Sequence, residues 1–118
     1  MKKASNAVMF LAFLIINACT YENESDLISL CDTTNIDYQT KVKPIFDNNC
    51  TKCHNAILLT AGFNISDTVM LREKINSGKL KGVTNHLPGF SKMPLGEPQL
   101  PNCSLTILNI WMENGAPF

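Results

Sequence analysis

Three stretches of the chain set apolar residues at helical spacing, and a fourth sets them with no spacing at all. Val42, Ile45 and Phe46 recur with Asn49 along one face, and Pro44 suits a first turn, where its missing N–H costs nothing. This predicts a short helix from about Lys41 to Asn49. A second helix is predicted between Asp67 and Ser77, with Ser66 or Asp67 as N-cap and Gly78 as its stop. Val69, Met70 and Ile75, joined by Leu71, form its expected apolar side. A third helix starts after Asn102 or Ser104, either of which can cap it. Leu105, Leu108, Trp111 and Met112 line one face, Ile107 widens the stripe, and Gly115 and Pro117 end it. Residues 79–101 are thick with glycine and proline and read as loop; one that long is usually functional or disordered. No strand alternation competes, so the expected class is all-α.

The unspaced stretch is Ala7 to Ile16, ten apolar residues behind Met1-Lys2-Lys3. Ten helical residues span about half a bilayer, which takes about twenty. A basic head, a short apolar centre and a small residue before a cut make a secretory signal, residues 1–18. Ile16-Asn17-Ala18-Cys19 resembles a lipoprotein signal, cut before Cys19, which then receives a diacylglycerol. Asn17 departs from the small residue usual there. Residues 19–36 then read as a polar tether, with Glu22, Glu24 and Asp26 near the lipid, and residues 37–118 as the folded domain. Two acyl chains suffice for stable anchoring. The expected location is the cell envelope, on a lipid anchor facing the periplasm or the cell surface.

Composition narrows the classes. The 118 residues make one domain at most. With zero formal net charge, nothing steers the chain toward nucleic acid. Charged residues are sparse at 17%, against roughly 25% in an average protein, partly because of the leader. Removing residues 1–18 takes Lys2 and Lys3 and leaves eight basic against ten acidic side chains, a net charge of −2.

Outside the cytosol, thiols pair or carry a cofactor. With Cys19 assigned to lipid, Cys31, Cys50, Cys53 and Cys103 remain. Cys50-Thr51-Lys52-Cys53-His54 is a C-x-x-C-H run, the attachment pattern of c-type haem. Two thiols on one turn reach the two vinyl groups of one porphyrin edge, and the next residue falls under the iron as its proximal ligand. A redox disulfide would sit beside a βαβ pattern, and none is visible. Zinc on Cys50, Cys53, His54 and His86 lacks a second C-x-x-C or a spaced histidine pair.

For the second iron position the loop offers Met93, in Lys92-Met93-Pro94-Leu95-Gly96. A thioether is a soft ligand that favours ferrous iron. Met70 and Met112 lie on helix stripes and read as core, whereas Pro94 fixes the segment that carries Met93. The rival is His86, which otherwise reads as a surface group or one beside a haem propionate.

Residues 41–118 resemble the class I c-type cytochrome domain, and especially a group of short bacterial domains. The matching pieces are Val42 to Phe46, Cys50 to His54, Ser77-Gly78, Met93-Pro94 thirty-nine residues after His54, and the closing Leu108, Trp111, Met112, Asn114, Gly115, Ala116 and Pro117. Leu108 stands where the group has isoleucine. The resemblance implies a small all-α cytochrome c-like domain wrapped around one covalent haem c, which would serve as much of its core. It also implies single-electron transfer between redox partner proteins, with no substrate turned over. Nothing resembles a catalytic acid/base pair, a Ser-His-Asp set or a phosphate loop, so the chain reads as a non-enzyme. The alternatives are a haem subunit of a membrane-associated dehydrogenase complex and a haem ligand sensor with an easily vacated iron.

Cys31 precedes the first helix and Cys103 the last, so packing those helices together predicts a Cys31–Cys103 disulfide. Closing that long loop constrains the unfolded chain by about 4 kcal/mol in the entropy model. Lys41, Lys43, Lys52 and Lys92 are candidates for a docking face toward an acidic partner.

Overall fold

The computed structural model describes residues 31–118. The signal at 1–18, lipidated Cys19 and the acidic run at Glu22, Glu24 and Asp26 lie outside the described residues. Among the described residues all regular structure is helical. No helix there is long and apolar enough to cross a membrane.

The chain enters through a π turn, Tyr38–Val42, that runs directly into α1, Lys43–Asn49. Asp37 caps the turn, its carboxylate accepting from the Thr40 amide and hydroxyl, and these bonds hold its pKa down. Pro44 sits in the first turn of α1, where the spacing placed it. α2 spans Thr68–Asn76, with the Asp67 carboxylate accepting from the Val69 and Met70 amides and Gly78 reversing the chain in the left-handed region.

The apolar face of α2 differs from the expected one. Leu71 is its fully buried residue, Met70 and Ile75 are half-buried, and Val69 is 79% exposed. Asp67 caps the helix one residue closer to Val69 than Ser66 would, and the stripe centres on Leu71.

The expected loop at 79–101 contains a further helix, α3, Lys79–Thr84. Its Gly82 and the β-branched Val83 and Thr84 are weak helix formers, which hid it. Gly82 is needed for space: a Cβ there would lie 2.5 Å from the Phe90 ring. α4 spans Asn102–Glu113, and Pro101, not Asn102 or Ser104, holds its N-cap position.

The core gathers one side of each element: Tyr38 and Val42, Ile45 and Phe46, Leu71, Leu80, then Leu105, Leu108 and Trp111. Trp111 stacks on Tyr38 with ring centroids 5.6 Å apart and meets Phe46 edge-on. These side chains close on each other in one cluster. After α4 the chain folds back. The Trp111 indole N–H donates to the Pro117 carbonyl, and the Arg72 guanidinium donates to the Gly115 and Ala116 carbonyls while lying over the Phe118 ring.

Cys31 and Cys103 are disulfide-bonded, which ties the entry of the chain to α4. Lys41 donates to the Asp32 carboxylate and to the Asp32 and Thr34 carbonyls. That ammonium, with the Thr34 hydroxyl, holds the Asp32 carboxyl well below the usual range. Ile36 packs against the core. The compact unit therefore runs from Cys31, with residues 31–36 fastened to it rather than loose.

Candidate cofactor site

α1 ends where the chemistry begins. The Cys50 amide donates to the Phe46 carbonyl, and the Cys53 and His54 amides both donate back to Cys50, so residues 50–54 continue as one tight turn. Asn55 locks the residues on either side of it: its side chain donates to the Thr51 carbonyl and accepts from the Ile57 and Leu58 amides. The Ile65 amide returns to the His54 carbonyl at 3.0 Å and closes the loop under the turn.

Cys50 and Cys53 carry free thiols. Burial pushes the Cys50 thiol up to about 11. It also stands at the C-terminal, negative end of α1, which disfavours a thiolate. A redox C-x-x-C works in the opposite setting, with the reactive thiol lowered at a helix N-terminus. This pair is therefore poorly suited to dithiol exchange at neutral pH.

The His54 ring is oriented by its own loop. Its Nδ1–H donates to the Thr60 carbonyl at 3.1 Å, which fixes the tautomer and leaves Nε2 with a free lone pair. Phe63 packs 5.3 Å from it, centroid to centroid.

A cavity of about 170 Å³ opens beside this ring. His54 lines it, and so does Met93, from the far loop. Phe63, Leu80 and Val83 give it apolar walls; Lys74, Lys79 and Ser91 supply polar groups. The sequence singled out His54 and Met93. It did not reveal Lys74 and Lys79, because their place at the cavity depends on the angle between α2 and α3. The cavity is smaller than the roughly 300–1,000 Å³ that encloses a drug-sized ligand, so a large planar group would be enclosed only in part.

His86 does not line the cavity. Its Nε2–H donates to the Met93 carbonyl at 3.0 Å. Met70 and Met112 are half-buried on their helices, with Met112 against the core. Among the described residues no group of three or more His, Cys, Asp or Glu side chains comes together to hold a metal ion, so the zinc alternative lacks its ligand set.

Three of the four lysines named for docking have acidic partners within the chain. Lys41 pairs with Asp32, Lys43 with Asp47, and Lys52 reaches Glu97 at 3.2 Å across the two loops. Such pairs dilute a positive face. No family model, no curated protein and no solved structure matches this chain.

Proposed function

We propose that this chain is a one-haem c-type electron carrier of the cell envelope, with haem c bonded to Cys50 and Cys53 and its iron held between His54 and Met93. The observation that carries this reading is the meeting of His54, the residue that follows Cys53 in the C-x-x-C-H turn, with Met93 in one largely apolar cavity. When bound, the group supplies a metal that cycles between ferric and ferrous states by single electrons.

The chain's residues would do the rest. Cys50 and Cys53 fix the plane of the ring by two thioether bonds. The carbonyl of Thr60 holds His54 Nδ1–H and so leaves Nε2 as the nitrogen that would bind iron. Met93 would offer its sulfur, a soft ligand that raises the potential. Phe63, Leu80 and Val83 would give the group apolar walls that limit water. Lys74 and Lys79 suit the two carboxylates that a haem carries. Ile57, Leu58 and Leu95, exposed on the same two loops, would gain an apolar partner.

The lipid on Cys19 would keep the carrier at the membrane, with redox proteins as partners. The alternatives, a dehydrogenase subunit or a ligand sensor, use the same haem chemistry, and nothing in the geometry favours either. The test is a haem stain on a denaturing gel of protein exported in a host with c-type maturation. Colour at the mass of the chain, lost in Cys50→Ala, Cys53→Ala, is expected. A blank lane from well-expressed exported protein would overturn the reading.

A further inference from the structure

We propose that His86 is a positioning residue for Met93, and that its imidazole sets how firmly the Met93 sulfur occupies its place. The proposal rests on the reading of Met93 as an iron ligand.

The Met93 backbone is gripped from both sides. Its N–H donates to the Val83 carbonyl at 3.0 Å, and its C=O accepts from His86 Nε2 at 3.0 Å. The first bond is ordinary main-chain pairing, available to nearly any residue. The second depends on one side chain. Both anchors lie at or just beyond the end of α3, a helix that itself lines the cavity through Leu80 and Val83. Residues 82–93 thus form a closed loop that leaves α3 and returns to it.

His86 reaches back because of its backbone. Its φ is 54°, in the left-handed region that a non-glycine residue seldom adopts, and the Leu87 amide seals the turn on the Gly82 carbonyl at 3.0 Å. The Phe90 ring fills the space over Gly82, which is why the loop can lie so close to α3. Glycine or asparagine would sit at position 86 with less strain, but neither carries a donor long enough to replace the imidazole. The ring therefore does at the Met93 carbonyl what those residues cannot.

Without the His86 bond, the loop would hold Met93 by its N–H alone, and an outside ligand would displace the sulfur more readily. The measurement is spectroscopic titration of the ferric, haem-loaded protein with free imidazole. His86→Leu is expected to bind imidazole about five- to tenfold more tightly than wild type, the effect of one lost hydrogen bond. His86→Gln, whose amide can donate at similar reach, should return most of the way. Arg72→Leu removes the guanidinium bonds to the Gly115 and Ala116 carbonyls and so lowers stability away from residues 82–93; it should leave imidazole affinity unchanged. If His86→Leu does not accumulate, His86→Asn, relaxed in the left-handed region but too short to reach, carries the same expectation.

Equal affinity in wild type and His86→Leu would overturn the proposal while leaving the haem reading intact. A wild-type chain that takes up no haem would overturn both. A Met93→Ala variant with the wild-type spectrum would remove Met93 as ligand, and this proposal with it.

Discussion

The π turn, α1, α2 and α4 close over Val42, Phe46, Leu71, Leu108 and Trp111, each with almost no surface left in water, whereas the loops after α1 and α3 leave Ile57 91% and Leu95 78% exposed. Both regions belong to one chain in one solvent, and burying a side chain of that size is worth roughly 1.5–3 kcal/mol. Single exposed leucines are ordinary. Here they fall on the two loops that bring His54 and Met93 to one cavity, and those loops are firmly bonded by Asn55, Thr60, Val83 and His86. Under the proposed haem reading, these side chains would be the ones to gain cover when the group is bound. The helical side buries its largest side chains against one another; the loop side leaves several of its own in water.

The sharpest way to break that contrast is to mutate both sides in the haem-free Cys50→Ala, Cys53→Ala background. Trp111→Ala should cost about 3–5 kcal/mol by urea unfolding, as large-to-small core changes do. Leu95→Asp should stay within about 0.5 kcal/mol in the same background, because its side chain is already in water. Similar costs at the two positions would erase the distinction. In the haem-loaded protein, Leu95→Asp is expected to become destabilising.

A somewhat smaller effect is expected at the disulfide. Cys31→Ala, Cys103→Ala should lower stability by about 2–4 kcal/mol, seen as a drop in Tm, because the unfolded chain regains a long loop. The loss should fall on the helical side, which the bridge joins. Hydrogen exchange that instead accelerated first at residues 51–63 would tie the two regions together more closely than their packing implies.

The smallest effect is a pH limb. Cys50 is raised in the fold, from an ordinary value of 9.0 to about 11, by burial. Above pH 9 the unfolded chain therefore gives up this proton before the folded chain does. Stability of protein made without haem should fall between about pH 9 and pH 11, by at most roughly 2–3 kcal/mol. Cys50→Ala should flatten this limb. Attachment of a porphyrin vinyl converts the thiol to a thioether with no proton to lose, so the limb should vanish there too. A limb that survives Cys50→Ala would belong to another group.

The division between the two regions also marks what could be read in advance. Helical spacing made α1 and α4 legible, because Phe46, Leu108 and Trp111 bury one stripe each and the stripe is written in the order of residues. The Cys31–Cys103 pairing was legible from the order of cysteines and predicted helices, although Cys103 lies in the first turn of α4 and not before it. α3 was not, since Gly82 answers to the Phe90 ring and not to helix propensity. Val69 misled for a related reason: on a nine-residue helix a small rotation moves a whole stripe, and the cap at Asp67 decides that rotation. At the site, type and spacing singled out Cys50, Cys53, His54 and Met93, and of these His54 and Met93 line one cavity. Lys74, Lys79 and the grip of His86 on Met93 depend on how α2, α3 and the loop meet, which no local pattern encodes.

The half-buried Cys50 also implies a timetable. Its sulfur lies at the closed end of α1, with its amide already committed to Phe46 and Ile45 and Phe46 beside it in the core. An enzyme that must bring a porphyrin to both sulfurs would find Cys53 open and Cys50 shut once this fold has formed. Bond formation would then have to precede folding: the chain would emerge on the far side of the membrane, meet its cofactor while still extended, and only afterwards close around it. Under the proposed haem reading, the delay between export and closure would become a working part of the molecule, and a variant that folds faster would mature worse.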